Sequence, residues 1–121
     1  MNSTALLFLA ASVALAGCAF PGNVGFESLN ERPIWVARVD GFDRPVGAGI
    51  LSKGAKSYSY MGPMKYPKEV TLHWSYEWHK SDYSTTLYTK DTRFPYDDDR
   101  LIFLFTEEGE WKIVTKRRNE K

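Results

Sequence analysis

The chain has 121 residues with 16 Lys and Arg against 15 Asp and Glu, and this near-neutral balance argues against a nucleic-acid-binding role. Aromatic residues make up 15% of it, including four Trp and seven Tyr, which is enough to build a hydrophobic core without covalent staples. A single cysteine excludes a disulfide within the chain.

Residues 5–18 read ALLFLAASVALAGC. The apolar run is shorter than the ~20 residues a membrane-spanning helix needs, and it ends in small residues as secretory signal peptides do. Its last four residues, Leu15, Ala16, Gly17 and Cys18, resemble the lipobox of bacterial lipoproteins. The resemblance implies a signal peptide over residues 1–17, a diacylglycerol on the Cys18 thiol, cleavage before Cys18 and an N-acyl chain on the new amino group. An ordinary signal peptide with an incidental cysteine is the competing reading, and the absence of Lys and Arg from residues 1–4 favours it. The position of the sole cysteine favours lipidation. Each buried methylene contributes about 0.8 kcal/mol, so one acyl chain holds marginally and two or more hold firmly. Ala19 and Phe20, rather than Asp, follow the cysteine. By the lipoprotein sorting rule this implies the periplasmic face of the outer membrane in a Gram-negative bacterium.

Residues 18–32 are expected to be the lipidated cysteine and a flexible tether, because residues 19–32 contain Pro21, Gly22, Asn23 and Gly25 and show no sustained period. A coil of that length averages roughly 20 Å end to end and reaches roughly 45–50 Å when taut. Residues 33–121 are expected to form one β domain.

Within it, Ile34 to Val39 is β-branched and aromatic and is followed by the turn signal Asp40-Gly41, so it reads as a strand. Val46 to Leu51 reads as a second strand, with Gly47 and Gly49 marking a close approach by another backbone or a bulky side chain. A phosphate-cradling role for this VGAGI segment is rejected, since neither GxGxxG nor GKS/T opens a helix there. Ser57 to Tyr60 alternates and closes at Met61-Gly62-Pro63. Residues 69–78 form the clearest strand: Val70, Leu72, Trp74, Tyr76 and Trp78 share one parity, and Thr71, His73, Ser75, Glu77 and His79 the other. Core packing is the expected use of the first set, with Trp78 at its end beside the polar loop His79-Lys80-Ser81-Asp82. Tyr83 to Thr89 alternates again. Leu101 to Phe105 is apolar on both parities and reads as a central strand. Glu107-Glu108-Gly109-Glu110 then makes a hairpin to a closing strand at Trp111 to Lys116. The expected fold is all-β, a small antiparallel β-sandwich or barrel-like sheet of about seven strands.

The order of these features resembles a family of small bacterial lipoproteins associated with phospholipase effectors of the type VI secretion system. The residues that carry the resemblance are Tyr66-Pro67-Lys68-Glu69-Val70-Thr71-Leu72-His73-Trp74, Phe94-Pro95-Tyr96-Asp97 and the stretch from Leu101 to Trp111, with Tyr60 and Met61 standing where cysteines often precede the proline turn. Several members of that family are immunity proteins. The resemblance therefore implies a non-enzymatic, membrane-anchored periplasmic protein that neutralises a phospholipase effector.

Catalytic and metal sites are not expected. His73 and His79 would lie roughly 20 Å apart if one strand carried both, too far to share a metal. His79, Ser81 and Asp82 contain the letters of a triad, but near neighbours in sequence seldom converge, and no GxSxG elbow exists. Asp97-Asp98-Asp99 lacks the spacing and glycine of an EF-hand loop and reads as a solvated turn. The basic C-terminus, Lys116-Arg117-Arg118 with Lys121, reads as a solvated tail, with anionic lipid head groups as its alternative contact. Two functions remain: an anchored immunity protein that occludes a phospholipase, and a structural or accessory envelope lipoprotein acting as a protein- or wall-binding module. For either, Trp78, His79 and Tyr83 are the candidate partner-binding residues, being an aromatic cluster that flanks a loop.

Overall fold

The computed structural model describes residues 19–89, 92–94 and 99–117. The residues expected to be signal peptide and lipobox, Cys18 included, and residues 90–91, 95–98 and 118–121 lie outside the described residues.

Ten strands follow one another: β1 (Ala19–Phe20), β2 (Asn23–Ser28), β3 (Ile34–Asp40), β4 (Gly49–Leu51), β5 (Lys56–Tyr60), β6 (Met64–Lys65), β7 (Glu69–Ser75), β8 (Tyr83–Tyr88), β9 (Asp99–Phe105) and β10 (Trp111–Arg117). They form two four-stranded sheets, ordered β10-β9-β2-β5 and β4-β3-β7-β8, and a small β1-β6 pair. The chain is all-β, a small sandwich. Val24 and Phe26 of β2 with Leu101, Phe103 and Phe105 of β9 face Ile34, Val36 and Val39 of β3 and Val70, Leu72 and Trp74 of β7. The period-two alternation divides a core face, Val70, Leu72 and Trp74, from a more open one, Glu69, Thr71 and His73, but Ser75, expected on the open face, is buried at 1% exposure.

Three expectations are corrected. Residues 19–28 are not a tether: they form β1 and β2, and β2 lies between β9 and β5 with Val24, Phe26 and Ser28 buried. The domain therefore includes residues 19–28 and does not start at residue 33. Pro21 and Gly22 punctuate the stretch without loosening it. Gly22 takes φ +92° and packs against Gly62 so closely that a Cβ would stand 2.0 Å from the Gly62 carbonyl oxygen. Secondly, β2 and β9 run parallel, with Asn23 opposite Arg100 and Ser28 opposite Phe105. Long-range crossover between sheets makes this possible, since a short hairpin cannot join parallel neighbours. Thirdly, β7 ends at Ser75, so Tyr76 to His79 belong to the following loop and the two histidines do not share a strand.

The close approach expected at Gly47 is present, because a Cβ there would meet the Ala37 carbonyl oxygen at 2.6 Å. That contact sits where the β3-β7 register shifts between Val36 and Arg38. Such a shift leaves an extra residue and bends the strand.

The pairing registers define two poles. The chain enters at Ala19 on the proximal pole, which also holds the β1-β6 pair, the turn after Asp40, the Tyr60 end of β5, the start of β7 and the Tyr88 end of β8. The distal pole lies one strand length away, roughly 20 Å. It carries the loops at 29–33, 52–55, 76–82 and 106–110.

Candidate functional site

The distal pole carries an aromatic pile and a loop tied down by hydrogen bonds. Its outermost loop, residues 76–82, is braced from beneath by Ser75 at the end of β7. The Ser75 hydroxyl donates to Asp82 Oδ2 at 2.7 Å and accepts the Glu77 backbone N–H at 3.0 Å. Across the loop Lys80 pairs with Glu77. His79 is held at φ +63°, in the left-handed region that a non-glycine residue seldom occupies. Its ring stacks on Trp35 with centroids 4.4 Å apart. These constraints leave Trp78 58% exposed at the tip.

Behind the loop, on the inner face, Trp74 packs on Tyr83 at 4.8 Å, on Phe105 at 5.0 Å and on Tyr76 at 5.2 Å, and Phe105 packs on Trp111 at 4.9 Å. The Trp74 indole N–H donates to Thr85 Oγ1 at 3.0 Å, so the buried ring keeps its polar atom satisfied. Arg32 places its guanidinium 3.9 Å over the Tyr76 ring, an attraction of about 0.5–1 kcal/mol near a surface. Asn30 Nδ2 donates to the carbonyls of Thr106 and Glu107, both at 3.1 Å. The loops at 29–33, 76–82 and 106–110 are in this way tied to one another.

All three residues chosen from the sequence lie at this pole, but they do not form one contact cluster. His79 belongs to the outer face through Trp35, and Tyr83 belongs to the inner pile through Trp74. Trp78 is exposed and makes no ring contact among the described residues. Sequence reasoning missed Trp35 and Arg32. Trp35 had a signal, because it sits on the opposite parity from Ile34 and Val36 and so faces outward from a strand whose other face is core. Arg32 had none, since a loop cation shows its aromatic partner only after folding.

A second arrangement lies on the outward face of β3, β7 and β8. Ser84 Oγ is 3.1 Å from His73 Nδ1, and His73 Nε2 is 2.8 Å from Asp40 Oδ2. A carboxylate can only accept, so Nε2–H donates to Asp40; in the neutral imidazole Nδ1 is then the acceptor of the Ser84 hydroxyl. Arg38 Nε bonds the same carboxylate oxygen at 3.2 Å. That bond holds the Asp40 carboxyl below its ordinary range against partial desolvation, with the His73 bond assisting. Sequence distance hid this row, whose members come from three strands. Nucleophilic catalysis would also need donors aimed at a developing oxyanion. The adjoining hydroxyls, Thr71 and Thr86, are bonded to each other at 3.0 Å.

Between the edge strands β8 and β10 runs a groove of about 580 Å³, lined in part by Leu87, Tyr88, Arg93, Trp111, Lys112 and Ile113. Among the described residues no group of three His, Cys, Asp or Glu side chains is placed to hold a metal ion. Comparison of the chain with protein-family models, with curated proteins and with solved structures returned no match.

Proposed function

We propose that this chain is a lipid-anchored periplasmic lipoprotein of the outer membrane that binds a protein partner through its distal pole, and that the partner is a type VI secretion phospholipase effector which it neutralises. The anchor follows from the likeness of Leu15, Ala16, Gly17 and Cys18 to a lipobox, and the partner class from the resemblance carried by residues 66–74, 94–97 and 101–111. The observation that carries the binding mode is the braced loop at 76–82, with Trp78 more than half exposed above Ser75 and Asp82. A loop backbone tied down in this manner has less ordering left to lose on binding, and Trp is among the residue types that dominate interface energetics. Fixing the inhibitor to the bilayer that the effector attacks raises its local concentration.

The test pairs a capture experiment with a variant. Membrane-extracted protein is expected to retain a phospholipase effector, and Trp78→Ala to weaken that complex about 10–30-fold, which is about 1.4–2 kcal/mol. Stability should change by less than about 0.5 kcal/mol, as for other exposed positions. Deletion of the gene should sensitise cells to effector-producing siblings. Capture of envelope-assembly or wall components, with sibling survival unchanged, would replace this reading with that of an accessory envelope module.

A further inference from the structure

We propose that the proximal pole of the sandwich is a bilayer-docking surface, so that the protein stands upright on its membrane with Trp78 pointing away from it. The inference rests on the lipidation of Cys18 and adds to it an orientation and a contact face.

The first support is covalent. Cys18 is one peptide bond from Ala19, and consecutive Cα atoms are about 3.8 Å apart. Ala19 is already paired with Lys65 in the β1-β6 pair. That pair is bolted to the domain, because Phe20 is fully buried and packs on Phe94 at 4.8 Å, Tyr66 at 5.4 Å and Phe42 at 6.0 Å. The Met61 backbone N–H also donates to the Gly22 carbonyl at 2.8 Å. Acyl chains on Cys18 therefore draw this pole into the head-group region with almost no slack.

The second support is the chemistry of the pole itself, which owes nothing to the lipobox. Among the described residues the two most exposed large apolar side chains are Tyr88 at 73% and Tyr60 at 68%. Both lie at this pole: Tyr60 opposite Asn23 at the end of β5, and Tyr88 opposite Glu69 at the end of β8. Those two strands are edges of different sheets, so the tyrosines flank the pole. Among the described residues, exposed Arg44, Lys65, Lys68 and Arg93 accompany them, beside the exposed carboxylates of Asp43 and Glu69. Tyrosine, with an apolar ring and a polar tip, suits the membrane–water interface, and Lys and Arg meet phosphate head groups there. Water alone gives no reason to set these two tyrosines, the most exposed among the described residues, around the point where the chain enters.

The occupant is the phospholipid leaflet that holds the chain's own acyl groups. To test it, the full-length mature protein is reconstituted in vesicles of phosphatidylethanolamine and phosphatidylglycerol, with a nitroxide label introduced through Tyr60→Cys, Tyr88→Cys or Trp78→Cys. All three positions are exposed, so the fold tolerates the labels. Labels at 60 and 88 are expected to be shielded several-fold from a water-soluble nickel relaxant and accessible to oxygen, whereas the label at 78 remains fully water-accessible. Three labels equally open to nickel overturn the docking surface. The mass of the Cys18 peptide and flotation with vesicles report the anchor separately. An acylated, floating protein with water-like labels defeats the orientation alone. An unacylated Cys18 defeats both the anchor and the orientation built on it.

Discussion

Glu27 is 5% exposed on the outer side of β2, where it accepts hydrogen bonds from the Tyr58 hydroxyl and from Lys116 Nζ, each at 2.9 Å. Burial opposes its charge, but the bonds from Lys116 and Tyr58 outweigh that and hold the carboxyl below its ordinary value of 4.5. The Tyr58 phenol is correspondingly pushed up, by burial first and then by its bond to Glu27. A carboxyl whose folded pKa lies below its unfolded one stabilises the fold fully above the unfolded value and loses that contribution as pH falls through the folded one. Glu27→Gln should therefore destabilise the domain at neutral pH by about 1–3 kcal/mol. Denaturation curves of the two proteins should converge as pH falls from the ordinary value of 4.5 through the lower folded one; a gap that persists in acid would mean that shape, not charge, sets its contribution. Partner cations on β10 and a phenol on β5 could not be read from the letters around Glu27, since they lie 89 and 31 residues away.

At the scale of elements, the segment 19–28 separates local from tertiary information most clearly. Val24, Phe26 and Ser28 alternate with Gly25 and Glu27, which is a strand pattern, yet Pro21, Gly22 and Asn23 directly before it are turn signals. Those signals mark a real turn, between β1 and β2, rather than the absence of structure. Removing residues 19–28 should expose the inner edges of β9 and β5 and empty one side of the core. The expected result is loss of the cooperative unfolding transition and of near-ultraviolet circular dichroism. Phe20→Ala, which removes only the ring at the proximal end, should cost about 3–5 kcal/mol in urea denaturation. A shift within about 0.5 kcal/mol would return the segment to the status of a tether.

For the molecule as a whole, the β2-β9 pairing joins segments 76 residues apart in sequence, as the Asn23 side chain bonded to the Asp99 carbonyl marks. Closing so long a loop must precede the contacts that reward it, so refolding should take milliseconds to seconds rather than microseconds. Stopped-flow tryptophan fluorescence would show it, and a complete recovery within the dead time would contradict it. The same pairing brings the first strands beside β9 and so places Ala19 at the pole opposite Trp78. A protein–protein contact at one end and a lipid contact at the other then need not compete.

Local alternation was sufficient to identify most strands, to divide core from wet faces along residues 69–74, and to recognise β9 as a central strand, because side-chain direction in a strand has a period of two whatever its neighbours are. Strand order was decided only by folding. So were the parallel pairing of β2 with β9, the bracing of the 76–82 loop by the Ser75–Asp82 bond, and the Ser84, His73 and Asp40 row. Each of these depends on which edges meet across the core, and that choice is made by the burial of whole faces at once rather than by the residues adjoining any one of them.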